Sequence, residues 1–107
     1  MYTLNLIPKK ETLEIFCSKG DTSLRRFIFE LYNGDDPVGL AGSEDIEFQQ
    51  SNGAVHSCLI EDGKVVLDAY EDMTSDPGTF RSRLKITETD GGVIHSAVFT
   101  LKIEEAA

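Results

Sequence analysis

The sequence predicts an all-β domain, arranged as a sandwich or a barrel. Three observations lead there. Turn signals recur at short intervals: Lys19-Gly20-Asp21, Asn33-Gly34-Asp35, Asn52-Gly53, Asp62-Gly63, Pro77-Gly78 and Asp90-Gly91-Gly92. The runs between them are rich in Val, Ile, Phe and Thr, the residue types that suit a pleated surface. No segment sustains a helical apolar period over three turns.

The strands are expected at residues 2–7, 12–18, 24–32, 45–50, 55–60, 64–69, 79–87 and 93–103. That makes an antiparallel array of about 7–8 strands, the size of a small sandwich. One short helical turn is expected near 70–75, ended by the Pro77-Gly78 pair. The last third of the chain carries the clearest local signal. An alternating strand, 79–87, meets a Thr89-Asp90-Gly91-Gly92 turn and then a second alternating strand, 93–103. Asp and Gly tolerate the positive φ of tight hairpin turns, so the segment reads as a β-hairpin.

Alternation assigns faces, because successive strand side chains point to opposite sides. Phe27, Phe29 and Leu31 share one face; Phe80, Leu84 and Ile86 share another; Ala97, Phe99, Leu101 and Ile103 share a third. These sets should meet as a core between two sheets. Several apolar residues fall on the opposite, outward faces: Phe16, Ile28, Tyr32, Ile94 and Val98. A contiguous group of that kind would mark a subunit contact. On the outward side of strand 79–87 stand Arg81, Arg83 and Lys85. Cross-strand ion pairs would make this an ordinary solvent face. Left unpaired, the stripe would dock an acidic surface of a neighbouring subunit. Phe16, Ile28, Tyr32, Arg81, Arg83, Lys85, Ile94 and Val98 are therefore the candidate interface residues.

Length and composition bound the rest. The 107 residues suit one domain, 1–107, able to bury a core of its own. Nineteen acidic against ten basic residues give a net charge of −9. That balance argues against binding nucleic-acid phosphates and anionic membrane surfaces. No apolar run reaches the length of a membrane-spanning helix. The opening Met1-Tyr2-Thr3-Leu4-Asn5-Leu6-Ile7 lacks the basic and long apolar regions of a secretory signal. Synthesis in a cytoplasm is expected, with Cys17 and Cys58 as reduced, buried strand thiols.

A search for chemistry finds no catalytic set. The histidines, His56 and His95, both lie in expected strands. His56 and Cys58 are two apart and face the same way, but no third group orients them. Four Cys and His residues without paired short spacing do not make a zinc site. Asp35-Asp36, Glu44-Asp45 and Glu47 offer carboxylates without the spacing of a calcium loop. The glycines are dispersed in turns and do not form a phosphate loop. The expectation is a protein that is not an enzyme and has no cofactor and no metal.

The order of motifs carries a resemblance. Phe16-Cys17-Ser18-Lys19-Gly20-Asp21-Thr22 precedes Arg26-Phe27-Ile28-Phe29-Glu30-Leu31-Tyr32-Asn33-Gly34 and then Pro37-Val38-Gly39-Leu40-Ala41-Gly42. Asn52-Gly53, Glu61-Asp62-Gly63-Lys64-Val65 and Met73-Thr74-Ser75-Asp76-Pro77-Gly78 follow. Leu84-Lys85-Ile86, Asp90-Gly91 and Ile94-His95-Ser96-Ala97-Val98-Phe99-Thr100-Leu101-Lys102-Ile103 close the set. Over nearly its whole length the chain resembles the N-terminal domain of the upper baseplate (BppU-like) family of phages and prophages of Gram-positive bacteria. The resemblance implies an immunoglobulin-like β-sandwich. It implies a virion location, attachment to tail-tip or baseplate proteins, homo-oligomeric assembly, and anchoring of fibre or receptor-binding parts. It carries over no catalytic residue, because the shared motifs are turn-makers and core strands. It also frames the chain as a stand-alone virion protein or as the N-terminal domain of a longer one. The alternative is a carbohydrate- or surface-binding sandwich with a glycan receptor. That reading needs aromatic platforms, and with no Trp its candidates are Tyr2, Tyr32 and Tyr70.

Overall fold

Asp62 and Gly63 both adopt positive φ, 53° and 74°. A two-residue type I′ hairpin turn requires that combination. The pair joins β6 (Val55–Glu61) to β7 (Lys64–Asp68), with Glu61 opposite Lys64. Around this hairpin the computed structural model, which describes residues 1–8 and 13–105, places one curled sheet of 10 strands. The remaining strands are β1 (Tyr2–Asn5), β2 (Glu14–Ser18), β3 (Arg26–Asn33), β4 (Asp36–Val38), β5 (Asp45–Gln50), β8 (Gly78–Thr87), β9 (Val93–His95) and β10 (Phe99–Glu104). The order is β1-β3-β7-β6-β5-β8-β10-β2, with β4 on β3 and β9 on β8. A single helical turn, α1 (Glu71–Thr74), lies where the sequence predicts it.

β6 makes the sheet fold back on itself. Residues 55–58 pair with β5, and residues 59–61 pair with β7. One half of the strand belongs to each layer. The inner faces then meet: the Phe29 and Phe99 rings are 5.3 Å apart, and Phe48 lies 6.3 Å from Phe99. Leu4, Ile15, Leu31, Val65, Leu67, Leu84 and Leu101 join them with no exposed surface. Each such side chain contributes about 1.5–3 kcal/mol. The expected core sets of β3, β8 and β10 all take part, with Phe80 only partly buried against them.

The array differs from the expected antiparallel one. β1 pairs in parallel with β3, and β2 in parallel with β10. The reason is the route of the chain. After β1 it crosses to the other layer for β2 and returns for β3, and parallel strands need such a crossover. β2 and β10 come from opposite ends of the sequence, so no turn chemistry sets their relative direction. β4 was not expected, because Pro37 and its acidic neighbours read as a loop. Proline is tolerated there because β4 is a short strand paired only with β3. The start of the expected second strand, at Thr12, lies outside the described residues, as does the end of the chain at 106–107.

The expected strand 93–103 is broken in two. Lys85 faces His95, yet Ser82 faces Phe99. Arg83 and Leu84 therefore oppose three residues, Ser96, Ala97 and Val98, which is a β-bulge. Ser96 repairs the ladder. Its N–H donates to the Leu84 carbonyl (2.8 Å), and its hydroxyl oxygen accepts the Leu84 N–H (2.9 Å). The same hydroxyl donates to the Ala97 carbonyl (2.9 Å). Ala97 N–H crosses to the Asn5 carbonyl at the end of β1 (2.8 Å).

Two buried serines on neighbouring rungs should respond differently to loss of the hydroxyl. Ser96→Ala leaves the buried Leu84 N–H without its acceptor and should cost about 1–3 kcal/mol. Ser82 is equally buried, but its hydroxyl has no partner among the described residues. Ser82→Ala should change stability by less than about 0.5 kcal/mol or raise it. Urea unfolding of both variants checks this; equal losses would contradict the assigned role of Ser96.

Candidate functional site

β8 alternates Ser82, Leu84 and Ile86 into the core with Arg81, Arg83 and Lys85 outward. The strand on its far side decides what the cations meet. Lys85 faces Glu47 of β5, but Arg83 faces Gln49. Arg83 Nε donates to Gln49 Oε1 (2.8 Å), and Gln49 Nε2 donates to Glu47 Oε1 (2.9 Å). Next to Arg81 runs Ser51, whose N–H donates to the Arg81 carbonyl (2.8 Å). The Arg81 guanidinium has no hydrogen bond or ion pair among the described residues. The only acidic residue directly opposite the three cations on β5 is thus Glu47, across from Lys85.

The bulge lies beside these two arginines. Val98 is 40% exposed and, with Arg81, Arg83, Gln49 and Ser51, lines an open cleft of about 290 Å³. Along the same outer face Thr100 of β10 stands opposite Arg81, with Glu14 of β2 beyond it. Phe16 is exposed there, with Lys102 Nζ 5.8 Å above its ring and 3.2 Å from Glu14. Phe16, Arg81, Arg83, Lys85 and Val98 therefore share one face. Ile28 and Tyr32 stand on the outer face of the other layer, where Tyr32 donates its hydroxyl to Glu30 (2.7 Å).

Ile94 is a correction. Strict alternation sets it beside Val98, but the bulge shifts the face by one residue. Ile94 pairs with the buried Ile86 and so points to the core side of β9, 39% exposed at the margin. Alternation gave no hint of Gln49 and Ser51 as lining residues. Each is outward on its own segment, and only the β5–β8 pairing, invisible in the sequence, brings them to the arginines.

The other chemical candidates have structural explanations. His56 stacks on Tyr70 with ring centroids 3.9 Å apart and 5° between planes, and its Nε2 lies 2.5 Å from Asp72 Oδ1. It engages the helical turn and not Cys58. Asn52 Nδ2 donates to the Asp72 carbonyl, Gln50 Nε2 to the Met73 carbonyl and Thr74 Oγ1 to the Asp21 carbonyl. These bonds fasten α1 across the end of the sandwich. Burial pushes the Cys17 thiol up to about 11 and the Cys58 thiol up to about 12, so neither is a ready nucleophile. Both are free, and β5, β8 and β10 lie between their strands in the sheet order. Glu44 turns onto its own loop, accepting Ala41 N–H and Gly42 N–H at 2.9 Å each. These bonds, the one from Ala41 foremost, hold its carboxyl below the usual range. Among the described residues no group of three or more His, Cys, Asp or Glu is placed to hold a metal.

The sequence matches no family model and no curated protein. A solved structure is similar: the N-terminal domain of phage TP901-1 ORF48, with a TM-score of 0.70. The match covers 97% of this chain and 99% of that one, at 11% sequence identity. The two share a fold. That fold extends over nearly the whole length of both chains, so the phage domain and this one correspond as units.

His95 ties the cationic face to pH. Burial lowers its pKa first, and the nearby Arg83 and Lys85 lower it further. The unfolded value is near the ordinary ~6.5. The neutral form is favoured in the fold, so this contribution is fully present above that value and is lost as pH falls through the folded one. His95→Gln should therefore lose less Tm than the parent between neutral pH and pH ~5. Thermal melts across that range measure it, and parallel curves would contradict it.

Proposed function

We propose that this domain is a non-catalytic structural and assembly module of a phage or prophage virion. In this reading it sits at the tail tip or baseplate, contacts other virion proteins and copies of itself, and anchors fibre or receptor-binding parts. The observation that carries the reading is the end-to-end likeness in fold to the N-terminal domain of a phage protein. The ordered motifs that resemble the upper baseplate family point the same way. The outer face of β8 supplies a surface for such contacts, since Arg81 and Arg83 lack acidic partners among the described residues.

The candidate catalytic groups favour the same reading. His56 is committed to Asp72 and Tyr70, and both thiols are held protonated by burial. The glycan-binding alternative gains little. Tyr2 packs on Phe27 and Phe29, Tyr70 lies against His56, and Tyr32 is tied to Glu30. Each of the three is thus engaged within the domain, and no cluster of aromatic rings forms a shared platform among these contacts.

The reading predicts that the chain co-purifies with virus particles. Particles banded from an induced lysate of the bacterium carrying the gene should yield its peptides by mass spectrometry. Peptides found in the soluble lysate but absent from intact particles would overturn it.

A further inference from the structure

From the geometry of β8 and the bulge, we infer that the cleft between Arg81 and Arg83 binds an extended segment of another protein that carries carboxylates at alternate positions. The inference takes its setting from the virion-assembly reading and names the chemistry of the partner.

The two guanidinium side chains leave the same face of one strand two residues apart. Strand geometry repeats same-face side chains every ~6.6–6.8 Å. An extended partner repeats its own at the same interval, so carboxylates at i and i+2 meet the two arginines one to one. A single small anion does not span that spacing. Arg83 is already oriented, because Nε is held by Gln49 and the terminal nitrogens are left for a carboxylate. Arg81 is uncommitted among the described residues. Guanidinium–carboxylate pairs of this kind are strong and directional.

The surroundings select further. Ser51 and Gln49 line the cleft with neutral polar groups, and Val98, lifted by the bulge, gives an apolar wall. No carboxylate lines it. Glu47 accepts a hydrogen bond from the Gln49 amide and Glu14 is paired with Lys102, so neither acid is bonded to the two arginines. On a chain of net charge −9, this is a local cationic feature in an acidic field. Such a field repels a uniformly acidic partner. It admits a short acidic segment delivered to the cleft.

The test is fluorescence anisotropy of the full chain with labelled Glu-Thr-Glu-Thr-Glu and with its isomer Glu-Glu-Thr-Thr-Glu, in which no two carboxylates stand two residues apart, at low ionic strength. The alternating peptide should bind at least about tenfold more tightly. Arg81→Gln combined with Arg83→Gln should lose about tenfold or more, and Lys85→Gln less than about threefold. All three positions are at the surface, and an unchanged Tm confirms the fold. Equal affinity for the isomers, no binding by the parent, or full binding by the double variant would each overturn the inference. Displacement of the peptide by an equal concentration of inorganic phosphate would also overturn it, since that marks a simple anion site. Incorporation into particles separates the two readings. Peptide binding by a chain absent from particles leaves the site standing and removes the virion role. Parental incorporation of the double variant leaves the virion role and removes the cleft as its docking point.

Discussion

One inserted residue, held by one serine hydroxyl, governs the face of β8 that solvent meets. Without the extra residue between His95 and Phe99, the ladder would run in a single register from Val93 to Glu104. Residues of β9 and β10 would then keep one alternation, and the ring of Phe99 could not share a side with both Leu84 and Ser82. Ser96 makes the interruption tolerable by serving the two backbone groups that Leu84 would leave buried. Bulges raise local twist and re-aim side chains. Here the re-aiming turns Val98 outward beside the arginines and sends the Ala97 N–H across to Asn5 in the opposite layer. Asn5 also receives the Ile7 and Gly34 N–H groups on its side-chain oxygen, so the bulge, β1 and the β3–β4 turn meet at one residue.

Much of this was legible in the chain, and the limits have physical causes. β5 spans the predicted residues, because its alternation is regular and both ends carry turn residues. The inward sets of β3, β8 and β10 followed from period-two patterning alone. α1 followed from the Pro-Gly pair that ends it. Local patterning could not give strand partners. Parallel pairing of β1 with β3 and of β2 with β10 depends on the path between layers, which no short window contains. The bulge was hidden for a related reason. Ile94 and Val98 are an even number of residues apart, and an alternation rule has no way to see a register shift between them. The register puts Arg81, Arg83 and Lys85 on one face with Phe16 and Val98, turns Ile94 to the other side, and brings in Gln49 and Ser51 from a distant stretch of sequence.

Electrostatics here is a matter of position more than of total charge. The acidic excess is spent locally: Glu44 on its own loop, Asp21 on the Ser18 N–H and Arg25, Asp68 on Arg26. Arg26 also reaches Glu61, 3.6 Å away on β6, and so passes over β7 on the outer face. That crossing lies above Val66, which is 3% exposed although it points away from the core. Exposed pairs of this kind add little stability singly. Their arrangement closes one layer's outer face with internal partners and leaves the other layer's arginines without acidic ones, which distinguishes the two outer faces.

The parallel pairing of β2 with β10 has a mechanical meaning. β2 lies near the start of the chain and β10 near its end, side by side and pointing the same way. Once β1 has come away from β3, tension along the chain pulls β2 from its leading end and β10 from its trailing end, so the strands are drawn in opposite directions along a common axis. Their hydrogen bonds then carry the load together, in shear, and none can open ahead of the rest. A hairpin pulled apart from its open end gives way rung by rung. Forced extension is governed by the unfolding rate, and a shear clamp at the ends of the sequence is the arrangement that keeps that rate low under pull.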